Sequence, residues 1–165
     1  MNSQLESILY KIASNTLEQL SFLFSSPEEV NCCPNYDKVL VASISFTGHF
    51  SGTVRMMISS EVLDELTENM LGVDDAAELT LDQKHDALKE TINIVCGNLL
   101  PLIGGKRSLF SIGSPCLILD NDAKKKAVKN CNEHPFSAVA RLSIDDKLCS
   151  FFLLLDNDTK PDISL

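Results

Sequence analysis

The chain has 165 residues, 44% hydrophobic and 22% charged, near the average for a soluble globular protein and long enough for one domain that buries roughly two-thirds of its unfolded surface. Its 23 acidic and 14 basic residues leave a net charge of -9, a surface that repels nucleic-acid phosphates and anionic lipid and so disfavours both as partners. No apolar run approaches the roughly 20 residues that span a bilayer, and the acidic start MNSQLESILYK lacks the basic flank of a signal peptide, which predicts a cytoplasmic protein.

From residue 3 to 24, Leu5, Ile8, Leu9, Ile12, Leu17, Leu20 and Phe24 recur at helical spacing, predicting a long helix that SSPEE stops. KVLVASISF and GTVRMMIS are rich in β-branched and apolar residues and predict a hairpin across TGHFSG. Ser60 opens a short helix that Gly72 ends. Thr80 with Gln83 has the form of a capping box and launches a second long helix, which runs to about Gly104–Gly105. SPCLILD reads as a strand and NDAKKKAVKNCNEHP as a polar connection. SAVARLSID and KLCSFFLLL predict a second hairpin over Asp145–Asp146. The stretch CSFFLLL fits a buried central strand better than an exposed edge seeking a mate. DNDTKPDISL reads as a frayed polar tail, so the domain is expected over 1–156 with a tail over 157–165.

Each half of the chain thus runs long helix, proline-containing bend (SSPEEV and GSPCLI), then hairpin. The pattern predicts an α+β fold of pseudo-duplicated α–β–β–β units, forming one largely antiparallel sheet with two long helices packed on it. The cysteines, six in all, read as reduced thiols. Cys96, Cys116 and Cys149 lie in apolar segments, where a free thiol behaves as a small hydrophobe. Cys32 and Cys33 are adjacent, without a CxxC, and His49, His85 and His134 are scattered, so no metal site is expected.

Winding the second long helix at about 100° per residue separates two stripes. Leu88, Ile92, Val95, Leu99 and Leu102 make the core face, while Asp86, Glu90, Asn93, Gly97 and Gly104 fall opposite, flanked by Ile94, Leu100 and Pro101. Two readings are open. Outward stripes are polar in any case; but Gly97 costs a helix interior about 1 kcal/mol relative to Ala and bares the surface beside Asn93, as a docking surface would. A second Glu-x-x-Asn string, Glu28 to Asn31, follows Pro27 in a predicted bend, where no helix aligns the pair.

The longer string DALKETINIVCGNLL followed by GSPCLI resembles the phosphatase motif of the CheC/CheX/FliY family of bacterial chemotaxis proteins. The matching positions are Asp86, Glu90, Asn93 and Pro115, the proline arriving after 21 intervening residues (94–114), about one short of the family spacing. IASNTLEQLSFLFSSPEE looks like the first long helix of CheX-like domains, and there Glu18 to Ser21 lacks the amide, so a single site resembles CheX. The resemblance implies a phosphatase acting on the phospho-aspartate of a CheY-type response-regulator receiver. Asn93 would orient the attacking water and Glu90 would pair with the receiver's lysine. Asp86, Gly97, Ile94 and Leu100 would line the docking surface. Magnesium would be held by the receiver, with no cofactor of the chain's own, and a homodimer is compatible. The rival is a docking module of the same fold, for a receiver or flagellar component, without turnover.

Overall fold

The computed structural model describes residues 2–29, 34–105, 107–134 and 137–156, with Pro161 and Ile163 beyond them. In chain order the elements are α1 Asn2–Ser21, β1 Ser26–Pro27, β2 Val39–Gly48, β3 Ser51–Ser59, α2 Ser60–Leu71, α3 Leu81–Gly104, β4 Phe110–Ile112, β5 Cys116–Ile118, α4 Asn121–Glu133, β6 Ser137–Ile144 and β7 Lys147–Asp156. Every pairing is antiparallel, in the order β1-β6-β7-β3-β2-β4, with β5 also on β2. Both predicted hairpins are present. The second turns on Asp145 and Asp146, whose φ of 48 and 62 are the left-handed angles of a type I′ turn.

Side-chain alternation along the strands fixes the layers. Ile44, Phe46, Val54, Met56, Ile58, Phe151 and Leu153 face one way, into a core shared with Leu9 and Leu17 of α1, Leu63 and Leu66 of α2, and Leu88, Ile92 and Leu99 of α3. Val41, Met57, Phe152 and Leu154 face the other way, against Val128 and Cys131. CSFFLLL is therefore apolar on both faces because it is central, with β6 on one side and β3 on the other.

The duplicated pattern takes an interlocked form. β1, from the first half, lies against β6 of the second, while β4 and β5, from the second half, lie against β2 of the first. The midline is β7 on β3, from Ser51↔Asp156 to Ile58↔Cys149.

Three expectations need correction. The segment expected as a polar connection is helix α4: Asp120 accepts from Ala123 N–H at 2.9 Å as its N-cap, and Ala127, Val128 and Cys131 are buried on the sheet. Lys124 is buried with them, its Nζ donating to the carbonyls of Val39 (2.9 Å) and Tyr36 (3.1 Å). Arg55 reaches from β3 to donate to the Ala127 carbonyl at 3.1 Å. Helix α1 stops at Ser21, short of Phe24: Phe22 turns left-handed at φ 55, and Phe22 and Phe24 are 75% and 72% exposed while Leu23 is buried. The strand expected in SPCLILD spans only Cys116–Ile118, and Cys116 is exposed on it. Cys32, Cys33, Asn31 and most of the tail lie outside the described residues; Pro161 is buried and Ile163 packs against the core.

Candidate functional site

Asp86, Glu90 and Asn93 are carried by α3, so their aim depends on how that helix is anchored. Its N-terminus carries the full capping box, with Gln83 N–H donating to Thr80 Oγ1 (3.2 Å) and Thr80 N–H to Gln83 Oε1 (2.9 Å). Lys84 pairs with Asp64 of α2 at 2.7 Å. Leu88, Ile92, Val95, Cys96, Leu99 and Ile103 are each 0% exposed, so one side of the helix is fixed to the core along its length. A fixed helix is what a precisely aimed side chain needs.

On the opposite side Asp86, Glu90 and Asn93 are exposed and Gly97 is half-buried. Glu90 and Asn93, three residues apart, have Cβ atoms about 5–6 Å apart on one face. Among the described residues neither side chain has a hydrogen bond or ion pair, and Asp86 has no ion pair. These groups are thus free to meet another molecule. A Cβ at Gly97 would meet nothing within 4 Å, so this glycine packs against no neighbouring helix. Pro101, four residues on, has no N–H to give the Gly97 carbonyl, which therefore lacks its usual partner within the helix.

The structure ends the stripe earlier than the helical wheel does. Leu100 and Gly104, expected outward, are buried.

 Leu100 is 2% exposed, and Gly104 is buried as the last helical residue. The cause lies beyond the helix: the chain turns back at Gly105, and the Phe110 ring of β4 settles so close to Gly104 that a Cβ there would lie 2.4 Å from it. Leu102, expected in the core, is instead 45% exposed. Ile94 is half-buried beside Asn93. Pro115 is remote from the stripe along the chain, in the break between β4 and β5, where Gly113 N–H donates to the Ser45 carbonyl at 2.8 Å.

Sequence reading missed one part of this surface. Helix α2 stops at Gly72, which is left-handed at φ 68, and its last turn lies against α3. Met70 and Leu71 join Gln83, Asp86, Ala87 and Glu90 around a hollow of about 240 Å³. The Gly72 stop was legible, but the pairing of that helix end with the motif is a tertiary fact.

The buried thiols Cys96, Cys131 and Cys149 offer no competing chemistry. Burial raises the Cys96 thiol from 9.0 to about 11 and pushes Cys149 up further still. Burial also raises Cys131, with Arg55 acting the other way. All three are protonated at neutral pH, the unreactive form. A thiol that ionises more readily in the unfolded chain favours unfolding only once the pH passes the unfolded value. Stability is therefore expected to hold up to about pH 9 and to fall as the pH climbs from there through about 11, which melting curves across that range check. Among the described residues no three His, Cys, Asp or Glu side chains gather as a metal ion would require, and no helix is long and apolar enough to cross a membrane.

Residues 40–137, more than half of the chain, match the family described as chemotaxis phosphatase CheX. The chain belongs to that family. Solved CheX structures share its fold. CheX from Vibrio vulnificus superposes with a TM-score of 0.70 at 12% identity, over 94% of this chain and 99% of that one. CheX from Desulfovibrio desulfuricans gives 0.68 at 14%, over 93% and 99%. CheX in a complex with CheY, BeF3 and magnesium from Borrelia burgdorferi gives 0.65 at 15%, over 92% and 97%. No curated protein matches the chain.

Proposed function

We propose that this CheX-family chain is a cytoplasmic phosphatase that removes the phosphoryl group from the aspartate of a CheY-type receiver domain. The observation that carries the reading is the pair Glu90 and Asn93, exposed and unpaired among the described residues, side by side on a helix fixed to the core. The Borrelia CheX bound to CheY supports a receiver as the partner.

An acyl phosphate is already reactive, so positioning and charge supply the catalysis. The Asn93 amide can accept a hydrogen bond from water through its oxygen and donate through its nitrogen. It holds a water in line with phosphorus; the water oxygen forms the new P–O bond while the bond to the aspartyl oxygen breaks, leaving carboxylate and inorganic phosphate. Glu90, one turn away, pairs with the receiver's lysine and sets the depth of Asn93. Magnesium belongs to the receiver's own site, and the chain supplies no ligand to it. The bare surface at Gly97 admits the receiver's backbone close to Asn93. A homodimer is compatible with this site: among the described residues β1 pairs with Leu142 and Ser143 of β6 and Glu28 N–H donates to the Arg141 carbonyl, so the rest of that edge is open to a second chain.

The test is the rate of phosphate loss from an acetyl-phosphate-charged receiver of the same cell, with and without the chain. Acceleration supports the reading, and an unchanged rate with every such receiver would leave a docking module. Gly97→Ala separates fold from function. It is expected to stabilise the helix by about 1 kcal/mol, raising the melting temperature by roughly 2–4 °C, while slowing dephosphorylation because the new methyl stands where the receiver approaches. A raised melting temperature with an unchanged rate would show that the bare patch is not used.

A further inference from the structure

The hollow between α2 and α3 has an apolar floor, Met70, Leu71 and Ala87, and a polar rim that includes Asp86 and Glu90. Its walls are fixed from both sides. Lys84 ties α3 to Asp64 of α2 at 2.7 Å. Thr91 Oγ1 donates to the Ala87 carbonyl at 2.8 Å and lies 3.9 Å from the Met70 sulfur. Leu71, 49% exposed, is held at the end of α2 by the left-handed Gly72.

An apolar plug would cover the floor but desolvate two carboxylates that have no cation in the described chain. A long basic side chain satisfies both parts, its methylene stem on the floor and its charge at the rim. The surface is continuous with the proposed catalytic stripe, since Glu90 belongs to both. We propose that the hollow seats a basic side chain of the receiver's surface, a lysine or arginine whose stem lies on Met70, Leu71 and Ala87 and whose charged end meets Asp86. This inference rests on the receiver-docking reading. It adds a second cation to the one that Glu90 pairs with, read one helical turn further from Asn93, and so makes the hollow a selector among receivers.

The experiment titrates the chain against a CheY-type receiver of the same cell, held active with beryllofluoride and magnesium, using Asp86→Asn, Leu71→Ser and the double variant. Each single variant is expected to weaken binding about three- to ten-fold. The Asp86→Asn deficit should shrink with added salt and the Leu71→Ser deficit should persist. The double variant should lose less than the product of the two, because one side chain of the partner meets both. Both residues are solvent-facing, and melting curves confirm that the variants fold. Wild-type affinity in both single variants would overturn the proposal and leave the phosphatase reading intact. A wild-type chain that binds its receiver without speeding phosphate loss would overturn the phosphatase reading alone, and weakened binding by the variants would still uphold the hollow. A wild-type chain that binds no receiver overturns both.

Discussion

Asn93→Ala is expected to reduce dephosphorylation of a charged receiver about 100-fold or more while leaving the fold intact. The two halves of that expectation have separate physical grounds. The side chain is exposed and has no hydrogen bond to a described residue, so its removal leaves no buried group unsatisfied. Alanine is also the better helix former, so the melting temperature should stay level or rise slightly. The loss in rate follows from the proposed role: an amide that positions a water contributes through geometry, and losing a group of that kind costs on the order of 100-fold. Binding should survive because Glu90 and the surrounding surface remain. The measurement pairs a phosphate-loss assay with a receiver titration on the same variant. Wild-type turnover in Asn93→Ala would remove the amide from the mechanism, and a parallel collapse of binding would make it a docking residue.

Phe46→Ala is expected to have the largest effect on stability. Phe46 is 1% exposed and sits in an edge-to-face group with Phe50 at 6.0 Å and Phe110 at 5.9 Å. A Cβ at Gly52 would fall 2.8 Å from its ring, so the strand beside it has been cleared to seat the side chain. Truncating such a residue costs about 3–5 kcal/mol, a large part of the roughly 5–15 kcal/mol that holds a domain folded. The melting temperature should drop by roughly 6–20 °C, which calorimetry would read directly. A shift of only a degree or two would mean that neighbouring rings close the space. The group also matters to the site, because Phe110 is the ring that covers the last turn of α3.

Much of this arrangement could be read from the residues. The capping box at Thr80 and Gln83, the Gly72 stop, the Asp145–Asp146 turn and the period-two alternation of both hairpins are local signals with local causes. The adjacency of Glu90 and Asn93 followed from helical geometry alone. What could not be read depends on distant partners. Helix α4 looks like a linker because its charges dominate, and the acceptors of the distant Tyr36 and Val39, with Asn121 of the helix itself, make a buried Lys124 tolerable. Leu100 and Gly104 were misplaced because a uniform wheel takes no account of Phe110 returning over the helix end. Likewise, the hollow beside Glu90 depends on where α2 docks, which no spacing in α3 reveals.

The strand order has a consequence for how this protein can come apart. Each half hands its outermost strand to the other, so neither half owns a complete sheet. The central ladder joins residues as far apart as Ser51 and Asp156. A break in the connection between α2 and α3 would not release two small domains; each fragment would expose raw β edges that only the other fragment can cover. Folding must therefore wait for the far end of the chain, a slow, late-closing topology. Unfolding, by the same token, should take α3 and the whole sheet together in one step.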